Sequence, residues 1–141
     1  MAVDVQCCPL NDQILSSVRL KKAVVRDSRI FRLICFSGAL FLIISLFWVG
    51  SKPIAVGLFH GPLDKVAHFA TFGLMTALLW LSLQHSHPLL VIAIVSTIGA
   101  ADEFHQHFLS GRSASLEDLA VDIFAAVVIT ALLGYARRRD G

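Results

Sequence analysis

Residues 88–113 read Pro-Leu-Leu-Val-Ile-Ala-Ile-Val-Ser-Thr-Ile-Gly-Ala-Ala-Asp-Glu-Phe-His-Gln-His-Phe-Leu-Ser-Gly-Arg-Ser, an apolar run that passes directly into a polar one. The apolar part covers residues 88–101, and as a helix it would be only about 21 Å long. The hydrocarbon region of a bilayer is about 30 Å thick. A helix that crosses the membrane here must therefore continue through Asp102, Glu103 and Gln106 to about Phe108. This continuation carries charged side chains to the edge of the membrane, where polar groups face a packed interior or a water-filled cavity.

The composition of the whole chain supports a membrane location. Hydrophobic residues make up 56% of the 141 residues and charged residues 16%, with a mean hydropathy of +0.73. These proportions lie outside the range of soluble globular domains and indicate an integral membrane protein whose first partner is the lipid bilayer. A net charge of +2 on so apolar a chain also argues against nucleic acid as a partner.

Four apolar runs predict an all-α bundle of four transmembrane helices, with spans at about residues 33–50, 64–83, 88–108 and 116–135. Six of the twelve Lys and Arg residues lie in the segment 1–32, and three more lie in the tail 137–141. Because basic residues beside membrane spans mark the cytoplasmic side, both termini are predicted to be cytoplasmic. The membrane domain would then cover residues 33–136, between a basic N-terminal segment and a basic tail.

This topology brings the polar residues of three spans into one layer near the outer face of the membrane. Asp64 and His68 are four residues apart, as are Asp102 and Gln106, so each pair shares a helix face. Asp122 lies one turn inside its span and is expected to accept a hydrogen bond from Lys65, His68 or Arg112. The candidate site residues are Asp64, Lys65, His68, Asp102, Glu103, His105, Gln106, Arg112, Ser113, Asp118 and Asp122.

Four short motifs within residues 53–134 give the chain a family resemblance. They are Asp64-Lys-Val-Ala-His68-Phe, Asp102-Glu-Phe-His-Gln106, Gly111-Arg-Ser113 and Asp118, in this order. Their combination resembles the VanZ-like family of bacterial integral membrane proteins. The resemblance implies a multi-pass protein of the bacterial inner (cytoplasmic) membrane, in a family whose name is linked to glycopeptide-antibiotic resistance. The chain departs from the common family pattern at Ser110, where Pro is frequent, at Asp122, where Asn is frequent, and at Ala125 or Ala126, near a frequent Gly.

One hypothesis from the polar residues is an enzyme that acts on a lipid-linked or cell-envelope substrate. Asp102 or Glu103 would be the general base, and His68 or His105 would shuttle a proton. Lys65 and Arg112 would clamp a phosphate or a carboxylate. A metal-assisted version would use His68, Glu103, His105 and Asp118. Their spacing matches no tight ligand signature, so the sequence assigns no metal and leaves the cofactor unknown.

Two other hypotheses require no catalysis. In the first, the layer binds an envelope precursor, a lipid headgroup or an antibiotic, with Arg112 recognising an anionic group and Glu103 a cationic one. In the second, the charged residues tie the helices together, because hydrogen bonds between membrane helices stabilise packing by about 0.6 kcal/mol each. The density of ionisable groups favours ligand binding over helix tying, since packing alone could use Ser, Thr or Asn.

Overall fold

The computed structural model describes residues 28–52, 62–83, 87–109 and 114–140, and every regular element within these ranges is a helix. The four helices are α1 (Arg29–Gly50), α2 (Pro62–Ser82), α3 (Pro88–His107) and α4 (Leu116–Asp140). Each contains a stretch long and apolar enough to cross a membrane. The predicted all-α architecture with four spans is therefore confirmed.

The helix ends follow from local hydrogen bonding. Ser28 caps α1, because its hydroxyl oxygen accepts from the Phe31 amide at 3.2 Å, and the helix starts four residues before the expected span. At its C-terminal end, α3 continues through Asp102, Glu103 and Gln106 and ends at His107. The Phe108 amide then donates to the His105 carbonyl at 3.1 Å, which tightens the last turn. The polar residues of the third span thus belong to a continuous helix.

Contacts between helix ends show how the four helices are oriented. At one end of the bundle, Arg32 Nε donates to the Ser82 carbonyl at 3.1 Å and joins the start of α1 to the end of α2. At the opposite end, the Ser115 amide before α4 donates to Glu103 Oε2 at 2.7 Å, near the end of α3. Successive helices are therefore antiparallel.

The two ends of the bundle differ sharply in composition. The polar end is formed by the starts of α2 and α4 and the ends of α1 and α3, and carries Asp64, Lys65, His68, Asp102, Glu103, Gln106, Glu117, Asp118 and Asp122. The basic end is formed by the opposite helix termini and carries Arg29, Arg32, Arg137, Arg138 and Arg139.

The core lies between the two ends, and α2 packs against all three other helices. Phe72 and Met75 on α2 are completely buried, and Ala125 and Ala126 on α4 provide the small surface that lets the two helices approach. The lipid side is apolar as well: Phe41 is 69% exposed and Trp48 is 66% exposed. Large apolar residues outside a well-packed core are typical of a helix bundle in a bilayer.

Candidate functional site

A buried pair between α2 and α4 lies at the centre of the polar end. His68 Nδ1 is 3.0 Å from Asp122 Oδ1, and the side chain of Asp122 is fully buried while that of His68 is 9% exposed. The ring of His68 also stacks on Phe72, one turn deeper in α2, with 5.9 Å between ring centroids. The carboxylate and the phenyl ring together hold the imidazole in one orientation. Of the three partners expected for Asp122, the structure shows His68.

Space for Asp122 comes from Gly99 on α3. A Cβ atom at Gly99 would lie 3.0 Å from Asp122 Oδ2 and 3.2 Å from Asp122 Cβ, closer than ordinary packing contacts. Glycine at this position therefore allows a carboxylate on α4 to lie directly against the backbone of α3. Gly99 cannot be recognised from the sequence, since a single glycine in an apolar helix has many packing explanations.

Asp102 and Glu103 are both buried near the end of α3. Gln106 Nε2 donates to Asp102 Oδ2 at 2.8 Å, as the four-residue spacing on one helix face predicts. Glu103 Oε2 accepts from the Ser115 amide, so this carboxylate also fixes the entry into α4. The Ser115 hydroxyl in turn accepts from the Asp118 amide at 3.3 Å and caps α4. The capping spacing of Ser115 and Asp118 is visible in the sequence, although its link to Glu103 is not.

Lys65 lies at the rim of this cluster. Its Nζ atom is 2.6 Å from Glu117 Oε2 and 3.6 Å from Asp118 Oδ1, which links α2 to the first turn of α4. The side chains of Lys65 and Glu117 are 42% and 79% exposed, so this pair is largely solvated. Glu117 was not among the predicted site residues, and its only sequence signal is its place beside Asp118 in an acidic first turn.

Two sets of potential metal-ligating atoms share His68. In one set, His68, Asp102 and Glu103 are all buried, and one donor atom from each lies within 4.8 Å of the others. In the second set, His68 is grouped in the same way with the half-buried Asp64 and Asp118. The structure therefore offers two alternative sites for a small ligand, each built from two helices and both including His68.

Some buried polar atoms of the site have no hydrogen-bond partner among the described residues. They include Glu103 Oε1 and Asp122 Oδ2. Leaving a buried polar atom unpaired costs about 1–3 kcal/mol and more for a charged group. Outside this cluster, His105 Nδ1 and Thr130 Oγ1 are also buried and unpaired among the described residues. Two unpaired carboxylate oxygens in one cluster indicate a place for a ligand or for water.

His105 does not join the cluster around His68. Its ring packs edge-on against Phe47 of α1 with 5.4 Å between centroids, and its Nε2 atom is 3.4 Å from the Ser51 hydroxyl oxygen. The metal-ligand set considered from the sequence, which combined His105 with His68, Glu103 and Asp118, is not the set that the structure groups. Phe47 and Ser51 were not identified from the sequence because α1 carries none of the polar motifs.

The remaining predicted site residues lie in the connection between α3 and α4. Arg112 and Ser113 fall outside the described residues. The residues that the structure brings together at the polar end are Asp64, Lys65, His68, Asp102, Glu103, Gln106, Asp118 and Asp122.

A comparison with family models finds a match that covers most of the chain. The family model described as VanZ/LLP1 matches residues 7–136, which include α1, α2, α3, most of α4 and the whole polar end. Searches of curated proteins and of solved structures find no match.

Proposed function

The chain belongs to the VanZ/LLP1 family, and we propose that it binds a lipid-linked or envelope-associated polar ligand at the outer face of the bacterial inner membrane and modifies it by acid–base chemistry. The observation that carries this proposal is the buried His68–Asp122 pair beside the carboxylate of Glu103, whose Oε1 atom has no partner among the described residues. An oriented imidazole next to an unpaired carboxylate is an arrangement suited to moving a proton.

Each residue would have a distinct role in this chemistry. Asp122 holds His68 through Nδ1, which leaves Nε2 to exchange a proton with the ligand. Glu103 is held through Oε2 by the Ser115 amide, and its Oε1 atom would act as the base or acid on the reacting group. Lys65 at the rim, together with Arg112, would bind an anionic group such as a phosphate or a carboxylate. The residue types suit hydrolysis of a phosphate or acyl ester, in which a water molecule attacks the phosphorus or carbonyl carbon. Glu103 would take the proton of the water, and His68 would protonate the leaving oxygen as the ester bond breaks.

The surroundings of the site favour an amphipathic ligand over a freely soluble one. Large apolar side chains at the polar end are exposed on three helices, and they would contact the hydrocarbon part of a lipid-linked molecule. They include Leu63 on α2, Phe104 on α3 and Leu116 on α4, which are 62%, 68% and 86% exposed. A ligand that keeps its chain in the bilayer would present its polar group directly to the charged layer.

A second candidate function is purely structural. The pairs Lys65 with Glu117 and His68 with Asp122 both connect α2 to α4, as residues that tie helices together would. Helix tying does not account for the unpaired oxygens of Glu103 and Asp122, because a purely structural network is stable only when its buried atoms are satisfied. This difference makes the two functions separable by experiment.

The first test measures ligand-dependent thermal stability of the purified protein in detergent. The probes are lysophosphatidic acid, a polyprenyl phosphate and a lipid-linked peptidoglycan precursor. A ligand present at one hundred times its dissociation constant would stabilise the native protein by about 2.7 kcal/mol. Glu103→Gln is expected to lose the shift. The matched control, Glu117→Gln, makes the same chemical change at an exposed position and should keep it.

The second test measures turnover, as phosphate or fatty acid released from the stabilising probe. His68→Asn and Glu103→Gln should abolish product formation while the chain stays folded, because Gln keeps the size of Glu103 and Asn keeps an amide donor for Asp122. A ligand shift without turnover in the native protein would support binding and refute catalysis. If no probe shifts the native protein and Glu103→Gln alone is unstable, the helix-tying function replaces our proposal.

A further inference from the structure

We propose that His68, Asp102 and Glu103 bind a divalent cation at the polar end. The three residues come from two helices and are buried, and their donor atoms lie within 4.8 Å of one another. Metal–ligand bonds of about 2.0–2.2 Å place the donor atoms of a tetrahedral site about 3.4 Å apart. A small contraction of the three side chains would therefore complete the site.

Unpaired oxygen atoms provide a second, independent reason. Glu103 is only 6% exposed, and its Oε1 atom has no hydrogen-bond partner within the described parts of the chain. Asp122, directly behind His68, also has an unpaired and buried Oδ2 atom. A buried carboxylate is stable when it is paired or bound to a metal. A cation beside Glu103 would satisfy the atom that the described residues leave without a partner.

Each proposed ligand is oriented by a hydrogen bond to a residue outside the set. His68 Nδ1 is held by Asp122 Oδ1, Asp102 Oδ2 accepts from Gln106, and Glu103 Oε2 accepts from the Ser115 amide. A histidine that donates one ring nitrogen to a carboxylate and offers the other to a metal is a recurring arrangement, and it raises metal affinity. Here Nε2 of His68 and Oε1 of Glu103 are the atoms available for coordination.

The distribution of basic groups also favours a metal ion. Lys65 is engaged by Glu117 and Asp118 at the rim. Across the four described ranges, neither Glu103 nor Asp122 forms an ion pair with Lys or Arg. Glu103 thus has no Lys or Arg partner within these ranges, and a divalent ion would supply positive charge beside it.

The donor types select the class of metal. One imidazole nitrogen and two carboxylate oxygens suit Zn²⁺ or Mn²⁺ better than Ca²⁺, which prefers six to eight oxygen ligands. Three protein ligands leave at least one coordination position open, as in catalytic sites. This inference rests on the ligand site of the proposed function but assigns His68 Nε2 and Glu103 Oε1 to the ion. The ion, in place of those two atoms, would then acidify a water molecule or bind an oxygen of the ligand at the open position.

The competing set of Asp64, His68 and Asp118 would use the same histidine, so the two sets exclude each other. Asp64 is half-buried, and the side chain of Asp118, which is 14% exposed, already lies 3.6 Å from Lys65. In the buried set, Glu103 Oε1 is unpaired among the described residues, and each of the three ligands is oriented by a hydrogen bond. We therefore assign the ion to His68, Asp102 and Glu103.

Calorimetric titration of the full chain tests this assignment. The protein is purified without a histidine tag in a Cys7→Ala, Cys8→Ala background, dialysed against a chelator and titrated with Zn²⁺ and separately with Mn²⁺. We expect one ion per chain, with affinity lowered at least tenfold by Glu103→Gln and by His68→Asn. Asp64→Asn and Glu117→Gln should stay within twofold of the parent. Size-exclusion profiles check that the variants remain folded, and Asp102→Asn provides an additional ligand substitution.

The possible outcomes distinguish this inference from the proposed function. Absence of binding, or binding unchanged by Glu103→Gln, His68→Asn and Asp102→Asn, would overturn the metal site. A loss of metal affinity caused by Asp64→Asn but not by Glu103→Gln would also overturn the metal site. Turnover that persists in the presence of chelator but requires Glu103 would refute the metal site and leave the acid–base proposal intact. One bound ion per chain, with no stabilisation by any lipid probe and no turnover, would support the metal site and refute the proposed function.

Discussion

The polar end of the bundle buries several charged side chains, whereas the basic end exposes most of its charged side chains. At the basic end, Arg137, Arg138 and Arg139 are exposed, and a cavity of about 360 Å³ is lined by Arg29, Arg32, Leu33, Phe36, Ser82 and Leu83. At the polar end, Asp122 is completely buried and Asp102 is 2% exposed. Exposed cations beside a membrane orient the protein at little cost, whereas buried carboxylates destabilise it unless they are compensated.

The difference separates two kinds of charged residue. Exposed arginines, as at the basic end, are common beside membrane spans, although Arg32 also joins α1 to α2 through the Ser82 carbonyl. Carboxylates at the polar end need specific partners from three helices, and two of their oxygens still have none among the described residues. Four changes test the two ends against each other.

The largest expected effect is an all-or-none difference in labelling. In a chain with Cys7, Cys8 and Cys35 replaced by Ala, single cysteines are introduced as Ala114→Cys at the polar end and Arg138→Cys at the basic end. A membrane-impermeant maleimide should label the first in intact cells and the second only after permeabilisation. The opposite pattern would place the polar end in the cytoplasm and remove the outer-face part of our proposal.

The largest energetic effect is expected from Asp122→Leu. Removing one partner of a buried pair typically costs about 3–5 kcal/mol, because the other polar group stays buried without compensation. Arg138→Gln at the basic end should change stability by no more than about 0.5 kcal/mol. Denaturant unfolding in detergent measures both, and Asp122→Asn, which keeps an acceptor for His68, should fall between them. Equal stability of Asp122→Leu and the parent would contradict the buried pair.

A smaller loss is expected when the space for Asp122 is filled. Gly99→Ala places a Cβ atom 3.0 Å from Asp122 Oδ2, and such overpacking costs about 1–3 kcal/mol. Gly134→Ala in the half of α4 nearer the basic end is the matched control, since its Cβ would meet Trp80 at 3.9 Å. Alanine is the better helix former, so the control should be neutral or slightly stabilised. A comparable loss in both variants would show that Gly99 has no special relation to Asp122.

The smallest effect on stability is expected from Lys65→Met. Its ion pair with Glu117 is largely exposed, and exposed pairs contribute little because water and salt screen them. The Tm should not change measurably, while binding of an anionic lipid probe weakens. A fall in Tm as large as that of Gly99→Ala would show that Lys65 mainly holds α2 and α4 together.

Much of the candidate site could be predicted from local spacing. The hydrogen bond between Gln106 and Asp102 follows from residues four apart on a helix. The length of the apolar run 88–101 required α3 to continue through Asp102 and Glu103. Local spacing does not place His105, because its position in the polar motif suggested the cluster whereas its ring contacts Phe47 of α1 and Ser51 just after that helix.

The sequence by itself determined the number of spans and the presence of a charged layer, because hydropathy and helix length depend on local composition alone. The motifs also determined the family. Only the tertiary structure decided that Asp122 pairs with His68, that Gly99 makes room for it, and that Glu103 faces the start of α4. Those contacts depend on the rotation and separation of helices far apart in the chain, and packing between whole helix faces sets both quantities.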